Sequence, residues 1–469
     1  MTITDIEKRY KPYNIDEVDR IYEEELRRSD FKIIVLDDDP TGVQTVHDIY
    51  VYTKWDYDTI LEAFCDGNRT SFILTNSRSL TSKETRDLHR EISIAINKAS
   101  ETTGKGYFVL SRSDSTLRGH YPLETEVLEL NLNEDFDGEI IIPFFLEGGR
   151  YTFDDTHYVV QGNELIPAGE TEFAKDKTFA YSNSNLKKWI EEKTEGNIKE
   201  DEVCSISLEQ LRNMDYVGIV TVLRSAKDFK KIIVNAISYY DVKVFASCLM
   251  MVMKEGKRFI SRCAASFVRV IGGVSEIPLL TKKDIVPFAL HYGGLVIAGS
   301  HVSKTTEQIE SLLCLDNTVG IELNQHLVMD AEMFERERKR VIQKARDAII
   351  SKNTAVVFTR RERFDMNSGN KEDELVLARK ISDAVTSIVS DIGICPGYII
   401  AKGGITSSEI GTNALKCKKA FVLGQIRKGV PVWKTGEESI YPNVSYIIFP
   451  GNVGDKNTLK DIVEELSKQ

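Results

Sequence analysis

Three consecutive aspartates, Asp37, Asp38 and Asp39, stand where the apolar run FKIIVL (31–36) gives out, and Pro40, Thr41 and Gly42 follow them. Carboxylates this close repel one another and rise in pKa unless a cation or hydrogen-bond donor is supplied. If FKIIVL is a strand, they lie at its carboxyl end, where open α/β sheets place their ligands. Such a cluster suits a metal ion, a sugar hydroxyl or phosphoryl chemistry. The plainer alternative is a charged strand-to-helix turn in which one Asp caps the helix.

A second constellation, SRSDSTLRGH (111–120), follows the run YFVL. Asp114, Ser115, Thr116 and Arg118 bring an acid, two hydroxyls and a guanidinium into one turn of chain. Arginine offers a planar fork that matches a carboxylate, and neighbouring hydroxyls can bond the same anion or a polyol. Two further polar loops follow strand-like runs: Thr75-Asn76-Ser77-Arg78-Ser79 and Glu147-Gly148-Gly149-Arg150. If the strands are parallel, the four loops form one rim.

The second half carries glycine and hydroxyls instead. Gly299-Ser300-His301-Val302-Ser303-Lys304-Thr305 follows GLVIA, Lys402-Gly403-Gly404-Ile405-Thr406-Ser407 follows YIIA, and Pro450-Gly451-Asn452 follows SYIIF. Loops that expose backbone N–H groups at a helix start suit phosphate. None matches GxxxxGK[ST] or GxGxxG, so neither a Walker nor a Rossmann fingerprint is present. Trp433, in GVPVW, is a candidate to stack on a base, though such a residue is more often core.

These loops need a scaffold, and the pattern supplies one. Strand-like runs FKIIVL, DIYVYT, SFILT, YFVL and EIIIPFF alternate with helical stretches such as 82–99. That alternation predicts an α/β fold with a mainly parallel sheet flanked by helices in each of two domains. HYVVQGNELIPAGE reads as a hairpin with a Gly-Asn turn. YVGIVTV is predicted as a strand, 225–237 as a helix and VKVFAS as a strand. A second series, GLVIAG, TVGIELN, TAVVFT, YIIAK and KAFVLG with a long helix over 330–351, begins at Gly293. The expected division is 1–275, a crossing at 276–289, and 290–469.

The chain has 469 residues, a formal charge of −11 and a pI near 5.4, which disfavours a duplex nucleic-acid binder needing a basic face. Seven cysteines without CxxC spacing fit reduced thiols better than a disulfide framework or a zinc site. No run approaches the roughly 20 apolar residues of a membrane span. The start MTITDIEKRYKPYN lacks an apolar signal core. The expectation is a soluble, cytoplasmic protein without membrane or nucleic-acid partners.

Taken together, Asp38-Asp39-Pro40-Thr41-Gly42, the DSTLRG segment 114–119, Gly299-Ser300 with Thr305 and Gln308, the KGGITS segment 402–407, Gly424-Gln425 with GVPVW, and Phe449-Pro450-Gly451-Asn452 resemble the four-carbon acid sugar kinase family. The resemblance spans about 32 to 454. It implies an amino-terminal sugar-acid domain and a carboxyl-terminal nucleotide domain. The partners would be ATP with Mg²⁺ and a small sugar acid such as threonate, erythronate or a 3-oxo-tetronate; a homo-oligomer is left open. On that reading Asp38 and Asp39 are catalytic, one accepting the hydroxyl proton or holding the sugar. Thr41, Arg78, Asp114, Ser115, Thr116, Arg118 and Arg150 bind the acid, with Arg118 on its carboxylate. ATP contacts fall on Ser300, Thr305, Gly403, Gly404, Ile405, Thr406 and Gly451; the metal ligands are not specified.

Two departures bear on subfamily: GSHVS stands where the family has GSCS, and Pro40 where it has Leu in DDLTG. A rival is a haloacid-dehalogenase-type phosphatase, whose DxDxT is matched by Asp37, Asp39 and Thr41 with SFILT as its second strand. Against it, no clear later acidic pair follows a strand; Asp154-Asp155 follows Tyr151-Thr152-Phe153, which is a poor strand candidate. A non-catalytic sugar-acid and nucleotide sensor is the other alternative.

Overall fold

Runs of β-branched and aromatic residues that alternate with capped amphipathic helices call for strands buried on both faces, and a computed structural model shows this for the central strands of each unit. It describes residues 2–286, 292–299, 301–362, 364, 371–451 and 453–468. The chain divides into two units, one of 1–45 and 54–276, the other of 46–53 and 277–469.

In the first unit the strands run in the order Thr70–Leu74, Lys32–Asp37, Tyr107–Arg112, Phe259–Cys263, Gly138–Ile142, Lys230–Val234 and Cys204–Ile206. All are parallel. Every position of Lys32–Asp37, Thr70–Leu74, Gly138–Ile142 and Phe259–Cys263 is buried, the signature of a sheet covered on both faces. From Lys32–Asp37 the chain moves first to one neighbour, Thr70–Leu74, and then across to the other, Tyr107–Arg112. The strand order therefore reverses between Lys32–Asp37 and Tyr107–Arg112, a topological switch point of the kind that binds ligands. A separate antiparallel sheet, Arg150–Phe153, Thr156–Gln161 and Glu164–Pro167, contains the expected hairpin with its turn at Gly162-Asn163.

Four expectations are corrected. YVGIVTV is the helix Tyr216–Ser225, capped by the Asp215 carboxylate accepting from Gly218 N at 2.9 Å. Only Ile219, Val220 and Leu223 are buried there, so the period is helical although the composition is strand-like. The stretch 225–237 contains the strand Lys230–Val234 rather than a helix. VKVFAS lies within the helix Tyr239–Lys254, which starts with a capping box of Ser238 and Asp241 and is buried on nearly all sides. A helix buried all round loses the one-sided stripe that reveals it. Finally, Tyr151-Thr152-Phe153 does form a strand, but an antiparallel one, with Asp154 and Asp155 in its hairpin turn at positive φ.

The second unit has parallel strands in the order Thr318–Leu323, Thr354–Thr359, Leu295–Ala298, Ile399–Lys402 and Ser445–Phe449. Three antiparallel strands extend it: Val430–Thr435, Lys419–Arg427 and Ile49–Tyr52. The DIYVYT strand thus belongs to the second unit's sheet, although it lies among the first unit's elements in sequence. Here the order reverses between Leu295–Ala298 and Ile399–Lys402. The long helix is Ala331–Ile350. Trp433 is 1% exposed and packs edge-on against Tyr446, so it is core and not a stacking platform. Among the described residues no helix is long and apolar enough to cross a membrane.

Candidate active site

The three aspartates stand at the switch point of the first unit, and their surroundings separate them. Asp37 is the last residue of its strand and is 1% exposed. Its carboxylate takes Arg112 Nη1 at 3.1 Å, and its carbonyl accepts from Thr75 N at 2.9 Å and Thr75 Oγ1 at 2.8 Å. A β-carbon added at Gly42 would fall 1.9 Å from that carboxylate, which explains the glycine. Burial, opposed by Arg112 and reinforced by Asp38 and Asp39, pushes Asp37 up to about 8.

Asp38 is also buried. It shares Arg112 Nη1 at 3.3 Å and accepts the Asp114 N–H at 3.1 Å, which ties the first loop to the DSTLRG loop. Burial outweighs Arg78 and Arg112 and raises it to about 6. Asp39 reaches further out, with 13% of its side chain exposed. Burial alone would raise it, but Arg78, the Thr41 hydroxyl at 2.5 Å, Arg112 and Thr41 N at 2.8 Å together hold it below the usual carboxylate range.

The guanidinium groups form the other half of the site. Arg78 pairs with Asp39 and lies 3.5 Å from Asp114. Arg118 Nε donates to Asp114 at 2.7 Å, and Arg118 Nη1 lies 3.7 Å from Asp176. Burial would raise Asp114, but Arg118, Arg78 and the Thr116 hydroxyl keep it ionised well below the usual range. Arg118 and Arg150 face the same Phe173 ring at 5.1 and 5.8 Å. Arg150 alone of the four, with Arg112 counted, has no ion pair among the described residues, and its buried Nε has no hydrogen bond.

The structure thus brings Asp38, Asp39, Thr41, Arg78, Asp114, Thr116 and Arg118 into one network. Thr41 and Thr116 turn their hydroxyls onto Asp39 and Asp114, so they orient carboxylates. Ser115 is 7% exposed and holds its place through its carbonyl, which accepts from the His157 ring at 2.7 Å. Arg112, which neutralises Asp37 and Asp38, was missed in the sequence. Its signal is a charge closing an otherwise apolar strand.

In the second unit, three loops leave the carboxyl ends of adjacent or near-adjacent parallel strands. Ser300 and Asn452 lie outside the described residues. Gly403 has φ +111°, a conformation that favours glycine, and the helix Gly404–Glu409 starts directly after it. Gly404 and Thr406 are half-buried, Ile405 is exposed, and a β-carbon at Gly451 would meet nothing within 4 Å. Thr305 and Gln308 are fully buried, and among the described residues Thr305 Oγ1 and Gln308 Oε1 have no hydrogen-bond partner. Lys402, absent from the expected contacts, is buried and donates to Pro450 O at 2.7 Å and Gly451 O at 3.1 Å. It thereby ties two of the loops together; burial, aided by Lys304, lowers it to about 7. Arg361, also unforeseen, bonds Thr306 Oγ1 at 2.7 and 3.0 Å, and among the described residues its buried Nη1 has no partner.

Comparison with known proteins agrees with this division of chemistry. A family model described as a sugar-binding N-terminal domain matches residues 33–271, and one described as a nucleotide-binding C-terminal domain matches 295–459. A solved structure from Salmonella typhimurium LT2, provisionally described as a tRNA synthase, is 16% identical with a TM-score of 0.65, covering 93% of this chain and 100% of that one. A Haemophilus influenzae protein, described only by its domain family, is 15% identical with a TM-score of 0.60, at 93% and 100% coverage. At these identities the likeness shows the fold alone. No curated protein matched. The two family models together account for most of the chain, and the protein belongs to the four-carbon acid sugar kinase family.

Proposed function

We propose that the protein is an ATP-dependent kinase that phosphorylates a hydroxyl of a four-carbon sugar acid such as threonate, erythronate or a 3-oxo-tetronate. The observation that carries this reading is Arg150. In a site where Arg78, Arg112 and Arg118 are already neutralised by carboxylates, it is the cation left for a substrate carboxylate. This moves the carboxylate contact expected at Arg118 to its neighbour across Phe173.

Asp39 is the most exposed of the three aspartates, so it is the one to meet the acceptor hydroxyl. That oxygen attacks the γ-phosphorus, the bond to the β-phosphate oxygen breaks, ADP leaves, and Asp39 takes the hydroxyl proton. Asp38 positions the loop through the Asp114 N–H. Catalysis is then chiefly positioning and charge stabilisation.

The buried Thr305 hydroxyl, free to donate, the positive-φ Gly403 turn and the open face of Gly451 fit a phosphate-bearing ligand. Lys402 and Arg361 add positive charge beside those loops. Among the described residues no group of three or more His, Cys, Asp or Glu side chains is arranged to hold a metal ion. Mg²⁺ bound with the nucleotide would neutralise its phosphate charge, held by those phosphates with one or two carboxylates.

The phosphatase reading needs Asp37 as an accessible nucleophile. Its burial, its bond to Arg112 and the close approach of Gly42 argue against that role. The test is an ATP-consumption screen against D- and L-threonate, D- and L-erythronate and 3-oxo-tetronates, with and without Mg²⁺. Acid-dependent ADP formation supports the reading. Phosphate release from phospho-sugars without ATP would replace it with the phosphatase.

A further inference from the structure

The segment Asp114–Arg118 turns Asp114, Thr116 and Arg118 to the site, and its backbone is held by other parts of the first unit. Three of its carbonyls are each taken by a buried side chain from a different part of the first unit. Ser115 O accepts from His157 Nε2 at 2.7 Å, Thr116 O from the Tyr181 hydroxyl at 2.7 Å, and Arg118 O from Arg262 Nη2 at 3.1 Å. Between them Leu117 is fully buried at φ +68°, a left-handed conformation that is strained for a branched residue. A loop carrying that strain persists only where its surroundings over-determine it.

Each of the three donors is itself fixed. A backbone carbonyl can only accept, so His157 must carry its proton on Nε2. Its Nδ1 then accepts from the Thr152 hydroxyl at 2.9 Å, on the neighbouring strand of the small antiparallel sheet. Burial lowers the ring to about 4, so it stays neutral near pH 7. Tyr181 also reaches Ala168 O at 3.3 Å. Arg262 is 2% exposed and has no carboxylate partner among the described residues. Its guanidinium lies 4.9 Å from the Trp189 ring and 5.3 Å from Tyr121, two rings that stack on each other at 4.5 Å. A buried guanidinium without a counter-ion is expensive. Holding the Arg118 carbonyl gives it a task that an apolar residue could not perform.

We propose that His157, Tyr181 and Arg262 are positioning residues that pre-shape the Asp114–Arg118 loop for the sugar acid. On this inference the brace is assembled from three places: the small antiparallel sheet through His157, the segment before helix Leu186–Lys193 through Tyr181, and the large parallel sheet through Arg262. The inference rests on the reading of this loop as the sugar-acid loop, and preorganisation of this kind gains affinity by removing ordering cost at binding.

The test compares His157→Gln, His157→Leu, Tyr181→Phe and Arg262→Met. The glutamine amide can still donate at the Nε2 position; leucine cannot. The expected result is a rise of about tenfold or more in KM for the acid in His157→Leu, Tyr181→Phe and Arg262→Met, with KM for ATP unchanged and His157→Gln close to wild type. Amide hydrogen exchange supplies a readout independent of catalysis. The 114–119 amides should exchange faster in Tyr181→Phe, which removes one hydroxyl and is the variant least able to disturb folding. Unchanged exchange there, or an equal rise in both KM values, would overturn the proposal. If the wild type phosphorylates no acid, the kinase reading fails, while the exchange experiment still decides whether the loop is braced.

Discussion

Asp37, Asp38 and Asp39 share one residue type and differ in everything else, and the differences come from burial and partners. Asp37 carries the clearest consequence. Its pKa lies above the usual 3.8 in the folded protein, at about 8, because burial penalises its charge more than Arg112 repays it. A carboxyl group shifted upward stabilises the fold fully below its unfolded pKa and loses that contribution as pH rises through the folded value. Asp39 and Asp114 are shifted the other way, so their contribution is present above about 4 and is lost on acidification. Urea unfolding of wild type and Asp37→Asn, compared at each pH, should therefore show the wild type losing stability relative to the variant between pH 5 and 8, at about 1.4 kcal/mol per pH unit. The comparison cancels Lys402, whose lowered pKa acts in the opposite sense, and Asp38 and Asp241, which are also raised. The variant should keep turnover within about tenfold, since Asn imitates the neutral acid. Loss of all activity in that variant would return Asp37 to the chemistry. The sequence displayed the aspartates and Arg118 but could not rank them, because ranking depends on Arg112, Arg78 and Gly42, which approach only in three dimensions.

At the level of elements, the parallel strands and most βα loops were legible because continuous apolar runs followed by polar loops have few other solutions. The misread helices hide their period in different ways. Helix Tyr239–Lys254 is buried nearly all round and shows no one-sided stripe, whereas in Tyr216–Ser225 a valine-rich, strand-like composition masks the one-sided period of Ile219, Val220 and Leu223. The Phe259–Cys263 strand that carries Arg262 was not recognised for a related reason: a charged residue interrupts its apolar run. The strand Ile49–Tyr52 was recognised as a strand, yet nothing local in DIYVYT reveals that it pairs antiparallel with Lys419–Arg427. That pairing makes a prediction. A fragment of 277–469 leaves an unpaired strand edge, which templates aggregation. It should be less soluble than the same fragment with 46–53 fused to it, by light scattering after matched purification; equal behaviour would deny the strand a stabilising role.

Across the whole molecule, acid recognition in one unit and nucleotide recognition in the other should divide kinetic effects along the same line. Arg150→Met should raise KM for the acid on the order of 10–100-fold, the worth of a charge-assisted hydrogen bond, with little change in KM for ATP. Lys402→Met should do the reverse. In the wild type, ATP affinity should weaken as pH rises through about 7 and Lys402 loses its proton, and the variant should lack that dependence. Steady-state kinetics with each substrate varied in turn will show whether the split holds. The central claim is transfer of phosphoryl from ATP to a sugar hydroxyl, and phosphorus NMR reads it directly. Wild-type protein with ATP, Mg²⁺ and a four-carbon acid is expected to yield ADP and a new phosphomonoester resonance in equal amounts, with both lost in Asp39→Asn. Orthophosphate without a phosphomonoester, or an undiminished phosphomonoester in Asp39→Asn, would contradict the account.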